Sequence, residues 1–489
     1  MAYKHGAYGE ITESRVKSAR QADVVAAYIG TAPINLIRGY KDKGLVNMPI
    51  KLTNMSDVQS NLGYSADWDS FTLCEAFAQH FDNTVGNVGP IYVVNVLDPD
   101  THAAAEKTET ELTFTNQRAE FESSDIILDT FAIEEKAEGV DYDLSYNFAK
   151  GTVVVRLLTG EDTSLQCSYK TVDASKVQEA DIIGQTTEDG EYTGLHAMKL
   201  LYQYHNAVLN MLAAPGWSHK PAIYKAMVAI VQQLNGHWDG FVNADLPLED
   251  DDTQPIDTIA KAIKWKTDHG YTSEFSKVYW PKVKDGSGRV FHLSTAGQAT
   301  MLRTDLSHDG VPFESPSNKE IMATAQFFGE KSKSKGFDQQ TGNGLNEKGI
   351  TTAVFWAGQW VLWGPHTAAF TYNGSMDARA IFDVNLRMLM YITNSFQLDH
   401  GTEIDSPMTP QDKDTILNFE KQKLDTLTGI GALIGTPSVE FLETENSTSD
   451  MMNGDFVWHF AVTNTPPFKS GTARVTYTDE GFAAFFETE

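Results

Sequence analysis

Two glycine-rich stretches have nearly the spacing of nucleotide-binding loops. Gly344 to Gly349 (GLNEKG) spaces its glycines as a phosphate loop does, but Ile350 stands where the phosphate-binding Lys must follow, so the stretch reads as a turn. Gly429, Gly431 and Gly435 (GIGALIG) come close to a dinucleotide fingerprint. They follow a helical pattern rather than a strand, and the last spacing is one residue too long, which makes them a helix ending. The run Glu249-Asp250-Asp251-Asp252 offers carboxylate oxygens to a hard cation without EF-hand spacing. Placed before a helix beginning near Pro255, it is expected to face the positive end of the helix dipole. The 13 histidines are scattered without an H-E-x-x-H or a Cys/His cluster, no G-x-S-x-G occurs, and Cys74 has no local activating partner. The residues therefore call for no catalytic centre, no metal and no cofactor.

The elements that could position any such site belong to a long, acidic, folded chain. Its 489 residues carry 38 Lys and Arg against 66 Asp and Glu, a formal net charge of −28, with 41% hydrophobic residues. At roughly 150 residues per domain this is enough for about three domains. The negative field repels phosphate backbones and anionic headgroups, so neither nucleic acid nor a membrane is an expected partner. Two cysteines exclude a disulfide framework, and both are expected to be reduced and structural. Met1 to Arg20 lacks the apolar centre of a signal peptide, and the most apolar window, Ala353 to Trp363, falls short of the roughly 20 residues a membrane helix needs. The expectation is a protein made in a reducing cytoplasm.

Hydrophobic periodicity divides the chain. Residues 101 to 195 hold 20 acidic and 7 basic residues, net −13. There Tyr142, Leu144, Tyr146 and Phe148 alternate with polar residues, Thr152 to Leu158 returns, and Ser164 to Val172 adds a third strand, which predicts an acidic antiparallel β domain inserted into a larger fold. Outside it, strands and helices alternate: strand Val24 to Gly30, helix Phe71 to Phe81, strand Ile91 to Val96. After the insertion come a helix capped by Ser218 and running to Asn235-Gly236, strand Trp238 to Ala244, helix Pro255 to His269, and strand Ser276 to Val283. These spacings predict parallel α/β sheet, so the fold class is α/β (mixed α+β) and multidomain. A helix near Gln411 to Leu427 follows, then two strands, Phe456 to Thr463 and Thr472 to Thr478, expected to pair with each other. Both ends look extended, and a two-stranded sheet is marginal alone. Strands added from other chains would complete it.

Several of these residues resemble one family, the contractile tail sheath proteins of bacteriophages and phage-tail-like (R-type) bacteriocins. His5-Gly6-Ala7-Tyr8-Gly9-Glu10 looks like the family's opening arm, Val25 to Pro33 like its first core strand and turn, and Gly89 to Val96 like the next strand. Ser315 to Lys319 (SPSNK), Leu345 to Ile350 (LNEKGI), Trp363 to Thr367 (WGPHT), Leu427 to Gly435 and Pro466-Pro467 recur in the family's order. Where Pro365 and His366 stand, family members commonly have a small residue and Arg. The resemblance spans about residues 3 to 98 and 200 to 478 and leaves out the insertion.

What the resemblance implies is structural rather than enzymatic. Subunits would form a helical homopolymer of stacked hexameric rings around a tail tube, contracting to drive the tube through a bacterial envelope. The partners would be further copies, the tail tube protein, and baseplate and tail terminator proteins, in a virion tail or bacteriocin particle assembled in the host cytoplasm. Residues 1–22 would be an N-terminal arm and 479–489 a C-terminal arm. Residues 23–100 and 381–478 would be two parts of a discontinuous core, 101–195 the insertion, and 196–380 an α/β middle domain. Contacts between subunits would fall to His5, Tyr8, Glu10, Ile11, Val475, Tyr477, Phe482 and Phe485, and contact with the tube to Lys413, Glu420, Lys421 and Lys423. On a helical wheel Ile416, Leu417, Phe419, Leu424 and Leu427 share one stripe, with Glu420 and Lys423 expected at its rim and Asp414, Lys421 and Asp425 opposite. Two other readings compete: an α/β enzyme with an acidic accessory domain, and an exported adhesin or carbohydrate-binding protein.

Overall fold

Apolar runs that alternate with helices build one sheet across both halves of the chain. The strands are Val25–Gly30 (β1), Pro49–Leu52 (β2), Ile91–Asn95 (β3), Leu209–Ala213 (β4), Phe241–Asp245 (β5), Ser276–Tyr279 (β6), Ile350–Trp356 (β7) and Gln359–Trp363 (β8). They lie in the order β8-β7-β6-β5-β4-β1-β3-β2. The six from β7 to β3 are parallel, and β2 and β8 close the two edges as antiparallel strands. Every residue of β1, β3, β5 and β6 is buried, as required when both faces of a parallel sheet are covered. The computed structural model describes residues 24–160 and 163–485. The N-terminal arm residues His5, Tyr8, Glu10 and Ile11 lie outside the described residues.

This sheet corrects the expected division between residues 23–100 and 196–380. Ala26 is paired with both Ile91 and Met211, so strands from the two stretches share one core rather than forming separate units. Helices Leu73–Phe81 (α1), Pro221–Ile230 (α2), Ile259–Asp268 (α3) and Leu293–Leu306 (α4) cover it, with α1 and α4 packed against each other and on the sheet. No helix among the described residues is long and apolar enough to cross a membrane.

Local chemistry explains where boundaries differ from expectation. Helix α2 starts at Pro221 after Lys220, not at Ser218, because the Ser218 hydroxyl is turned inward to Asp245. It stops at Ile230, with Asn235 (φ 57°) and Gly236 (φ 77°) making a separate left-handed turn. Helix α3 begins at Ile259, capped by the Thr258 hydroxyl accepting from the Lys261 N–H. The acidic run is thus not in its first turn. Instead the Asp250 carboxylate accepts the N–H groups of Asp252 and Gln254 in a turn of its own. The strand from Ser276 breaks at Pro281, which has no N–H to donate, and Lys282–Lys284 joins a different small sheet with Val290–Phe291 and Ala325–Phe327.

The insertion forms two three-stranded antiparallel sheets. Tyr142–Asn147 pairs with Thr152–Leu157 as expected. Ser164–Tyr169 does not extend that hairpin; it crosses to the second sheet and pairs with Thr108–Thr113. Inward residues such as Phe114, Phe131, Val153, Val155 and Tyr169 give the insertion its own core. It is seated on the main body by the Asn35 carboxamide, which donates to the carbonyls of Ser124 and Ile126, and by Arg38, which donates to Leu128 O and Glu138.

Two long helices follow, Asp383–His400 (α5) and Pro410–Gly429 (α6). Helix α5 is held by two buried ion pairs, Lys277–Asp383 at 2.6 Å and Arg387–Asp305. Burial pushes the Asp305 carboxyl up to about 6 despite its Arg partner. Breaking such a pair strands a buried charge, so the first fixes α5 on β6 and the second fixes it on α4.

Candidate functional site

Three motifs far apart in sequence meet at the β7–β8 edge. The outer edge of β8 is covered by an extended segment: Asn318 N–H donates to Leu362 O, Leu362 N–H to Lys319 O, and Ile321 N–H to Trp360 O. Ser317 Oγ accepts the Gly364 N–H, and the Asn346 carboxamide donates to Ile350 O and Trp363 O. Gly349 adopts φ 64°, and a Cβ there would lie 2.5 Å from Thr367 O, so the turn between helix Gln339–Asn346 and β7 needs glycine. GLNEKG is therefore a helix end and turn, and GIGALIG likewise follows the end of α6.

These residues frame an open cleft of about 880 Å³, walled by Phe313, Trp356, Trp363, Phe370 and Tyr372 and, on the far side, by Pro466 to Gly471. His366, where the family pattern has Arg, is sandwiched between Phe370 (centroids 3.5 Å apart) and Phe382 (5.1 Å), with Nδ1 bonded to Ile381 O. Burial pushes its imidazole down to about 4, so at neutral pH it is an uncharged stacking partner and makes none of the ionic contacts an Arg would.

The chain that lines this cleft then leaves the body. Thr465 is tied down by its N–H to Ala432 O and its hydroxyl to Gly431 O. Strand Thr472 to Thr478 is absent: those residues pair with nothing among the described residues, and the strand expected to be their partner, shortened to His459–Ala461, pairs with Ser438–Glu440 instead. Residues 472–485 are exposed throughout, including Val475 at 91%, Tyr477 at 83%, Phe482 at 55% and Phe485 at 81%. An extended segment with unpaired backbone and exposed aromatic side chains is unstable alone in water and is satisfied when another chain covers it.

Helix α6 begins with a capping box, Thr409 with Asp412, and Pro410 in its first turn. Leu424 and Leu427 bury against Met388, Ile392, Leu433 and Val439, and Ile416 is buried as well. Glu420, expected at the rim, is instead buried, 1% exposed. His400 Nε2 bonds to it at 2.8 Å, and Lys423 sits 3.5 Å from it and 2.6 Å from Asp399. In this conformation Glu420 cannot meet a partner, and Lys423 is half-buried within the chain. Lys413 lies 2.7 Å from Asp414 and over the Phe441 ring, and Lys421 is exposed on the opposite face.

The carboxyl ends of the parallel strands, where open α/β sheets hold ligands, carry the chemistry an enzyme would need. Glu75 accepts from His292 N–H and Thr295 Oγ1 and lies 2.7 Å from His292 Nδ1; Asp245 accepts from Ser294 N–H and hydroxyl and from Ser218. All four hydroxyl and carboxylate residues named from α1, α4 and β5 are buried at 3% exposure or less. Burial raises the Asp245 carboxyl. The groups are consumed by one another and join α1, α4 and β5. Among the described residues no three or more His, Cys, Asp or Glu are grouped to hold a metal ion. Both cysteines are buried, and burial pushes the Cys74 thiol up to about 12 and the Cys167 thiol up to about 11.

No family model matches the chain. It is similar to the tail sheath protein of Burkholderia phage BcepMu, 26% identical over 488 residues, which covers 95% of this chain and 92% of that protein. In fold it is similar to a chain of the anti-feeding prophage baseplate, with TM-score 0.55 and 14% identity over 98% of this chain and 100% of that chain. It is also similar to a chain of the contracted sheath complex of the extracellular contractile injection system PVC, with TM-score 0.53 and 12% identity over 98% and 100%. The resemblance first carried by scattered motifs thus runs the length of the chain, in sequence to a phage tail sheath protein and in fold to chains of the anti-feeding prophage baseplate and of a contracted sheath complex.

Proposed function

We propose that this chain is the sheath subunit of a contractile virion tail or phage-tail-like particle, polymerising as stacked hexameric rings around a tail tube and shortening to drive that tube through a bacterial envelope. The observation that supports it most is the exposed segment at residues 472–485, whose backbone and aromatic side chains find no cover among the described residues. A strand donated to a neighbour makes several backbone bonds, roughly 0.5 to 1.5 kcal/mol each, and such a linkage can persist while other interfaces slide. Residues 1–22 would serve as the matching arm at the other end. The tube protein would meet the exposed, mixed-charge face of α6 through Lys413 and Lys421, with baseplate and terminator proteins at the two ends of the polymer. No cofactor, nucleic acid or membrane insertion has a part in this reading. Assembly would take place in the host cytoplasm.

Negative-stain microscopy of the concentrated protein tests it. Tubes or rings are expected, and deletion of residues 1–20 or 479–489 is expected to leave a folded monomer that builds no long tubes. Discrete particles at every concentration would instead favour the enzyme reading.

A further inference from the structure

Helix α5 turns Asp383 and Arg387 inward one turn apart, and each meets its opposite charge in the core. The second pair is only half satisfied. Arg387 Nη2 donates to Asp305 Oδ2 and lies 3.8 Å from Met211 Sδ, but Arg387 Nη1 and Asp305 Oδ1 have no hydrogen-bond partner among the described residues. Both residues are closed off from solvent, Arg387 at 4% exposure and Asp305 at 1%. Buried polar atoms in folded proteins are nearly always paired, with protein or with ordered water.

Arg387 and Asp305 line one small cavity. Its wall also includes Val24 at the root of β1, Asn210 of β4 and, just after α4, Gly310. The cavity gives about 20 Å³ to the centre of a water-sized sphere, where one water needs roughly 10–15 Å³. We infer that it binds a single water, which accepts from Arg387 Nη1 and donates to Asp305 Oδ1. The two orphaned atoms select the ligand. A guanidinium only donates and an ionised carboxylate only accepts, so whatever joins them must do both. The wall's other polar side chains, Asn210, Asp239 and Tyr391, bring one more carboxylate and no cation. A halide would therefore meet two carboxylates against one guanidinium, and an alkali cation would leave Nη1 unpaired. Of these, only water satisfies both atoms. Asn210 Oδ1 accepts the Val25 N–H at 2.8 Å, so the water sits where the start of β1, the end of α4 and the inner face of α5 meet. The site belongs to the single folded subunit, whatever that subunit builds.

Crystals of the full-length chain, at a resolution that shows ordered water, test this. A density peak is expected within about 2.5–3.2 Å of both Arg387 Nη1 and Asp305 Oδ1. No peak there, or the two atoms drawn together into a direct two-bond fork, overturns the inference. So does a peak that gains anomalous signal after a bromide or rubidium soak, since it is then an ion. Urea unfolding supplies a second readout. Val24→Ile adds one methylene at the cavity wall: filling a dry cavity raises the midpoint, whereas displacing a bound water strands both polar atoms and lowers it. A lower midpoint is expected, and an unchanged or higher one overturns the water. Overpacking alone could also lower it, so the same substitution is made in the double variant Arg387→Met, Asp305→Leu, which has neither orphaned atom. There the fall should vanish; an equal fall in both backgrounds counts as overpacking and against the site.

Discussion

Gly297 has no side chain because Tyr279 occupies the space one would need. A Cβ at 297 would lie 2.5 Å from the Tyr279 ring, which is fully buried and held by its hydroxyl donating to Asn243. Gly297→Ala should therefore overpack the α4–β6 contact and cost about 1–3 kcal/mol, read as a lower urea midpoint of the monomer; an unchanged midpoint would mean that α4 can shift outward freely. Buried histidines make a second demand at this scale. Burial pushes His80 and His366 down to about 4 and His219 to about 3. Each is depressed in the fold, so its contribution is complete above the unfolded value near 6.5 and is lost as pH falls from there toward 4. At roughly 1.4 kcal/mol per pKa unit the three together should lower stability steeply over that window. Urea unfolding at a series of pH values checks this, and His366→Phe, which keeps the ring stack, should flatten part of the slope.

At the scale of elements, the α5–α6 junction behaves oppositely with pH. His400, at the end of α5, faces Glu420 and Lys423 from α6, Glu403 from the connecting turn and Asp399 from its own helix. Burial alone would lower its pKa, but bonds to Glu420 and Glu403 outweigh burial and raise it. That stabilisation is complete below the unfolded value and disappears as pH rises through the folded one. His400→Gln should remove it, so the wild-type advantage over the variant shrinks as pH rises above the unfolded value near 6.5; a constant difference would show that the imidazolium is not what holds α6. This junction also shows the limit of a sequence reading. The stripe of Ile416, Leu424 and Leu427 is local, and the helix read from it agrees with α6 to within two residues at each end. Glu420 was placed at the rim because a wheel gives direction only, and its burial comes from a histidine 20 residues upstream. The strand Thr472 to Thr478 failed for a related reason: its alternation is genuine, but a strand exists only with a ladder partner, and none lies against it among the described residues. The β1 and β3 runs were legible because both faces are buried. That β4 pairs with β1 across an insertion was not, since register between distant segments leaves no local trace.

Across the whole molecule, the charge of the acidic insertion opposes the polymerisation proposed above. A subunit of net charge −28 repels its copies, and screening sets how close they approach; the Debye length is about 10 Å at 0.1 M salt. The insertion leaves and rejoins the body at one place, where Ala103 bridges to Val172 and Asp173 N–H donates to His102 O. Residues 104–171 carry 14 acidic and 6 basic residues, so replacing them by a short Gly/Ser linker changes the charge from −28 to −28 + 8 = −20. The eight-stranded sheet contains none of them and should stay folded. The Asn35 carboxamide loses both its acceptors, which costs about 1–3 kcal/mol unless water reaches it. If the insertion is a separable outward domain, the variant should assemble, and at lower ionic strength than the parent, because less repulsion remains to be screened. Light scattering across a salt series measures this. A threshold that rises on deletion would show that the insertion contributes attractive contacts between subunits, and failure of the sheet to fold would show that it is part of the core.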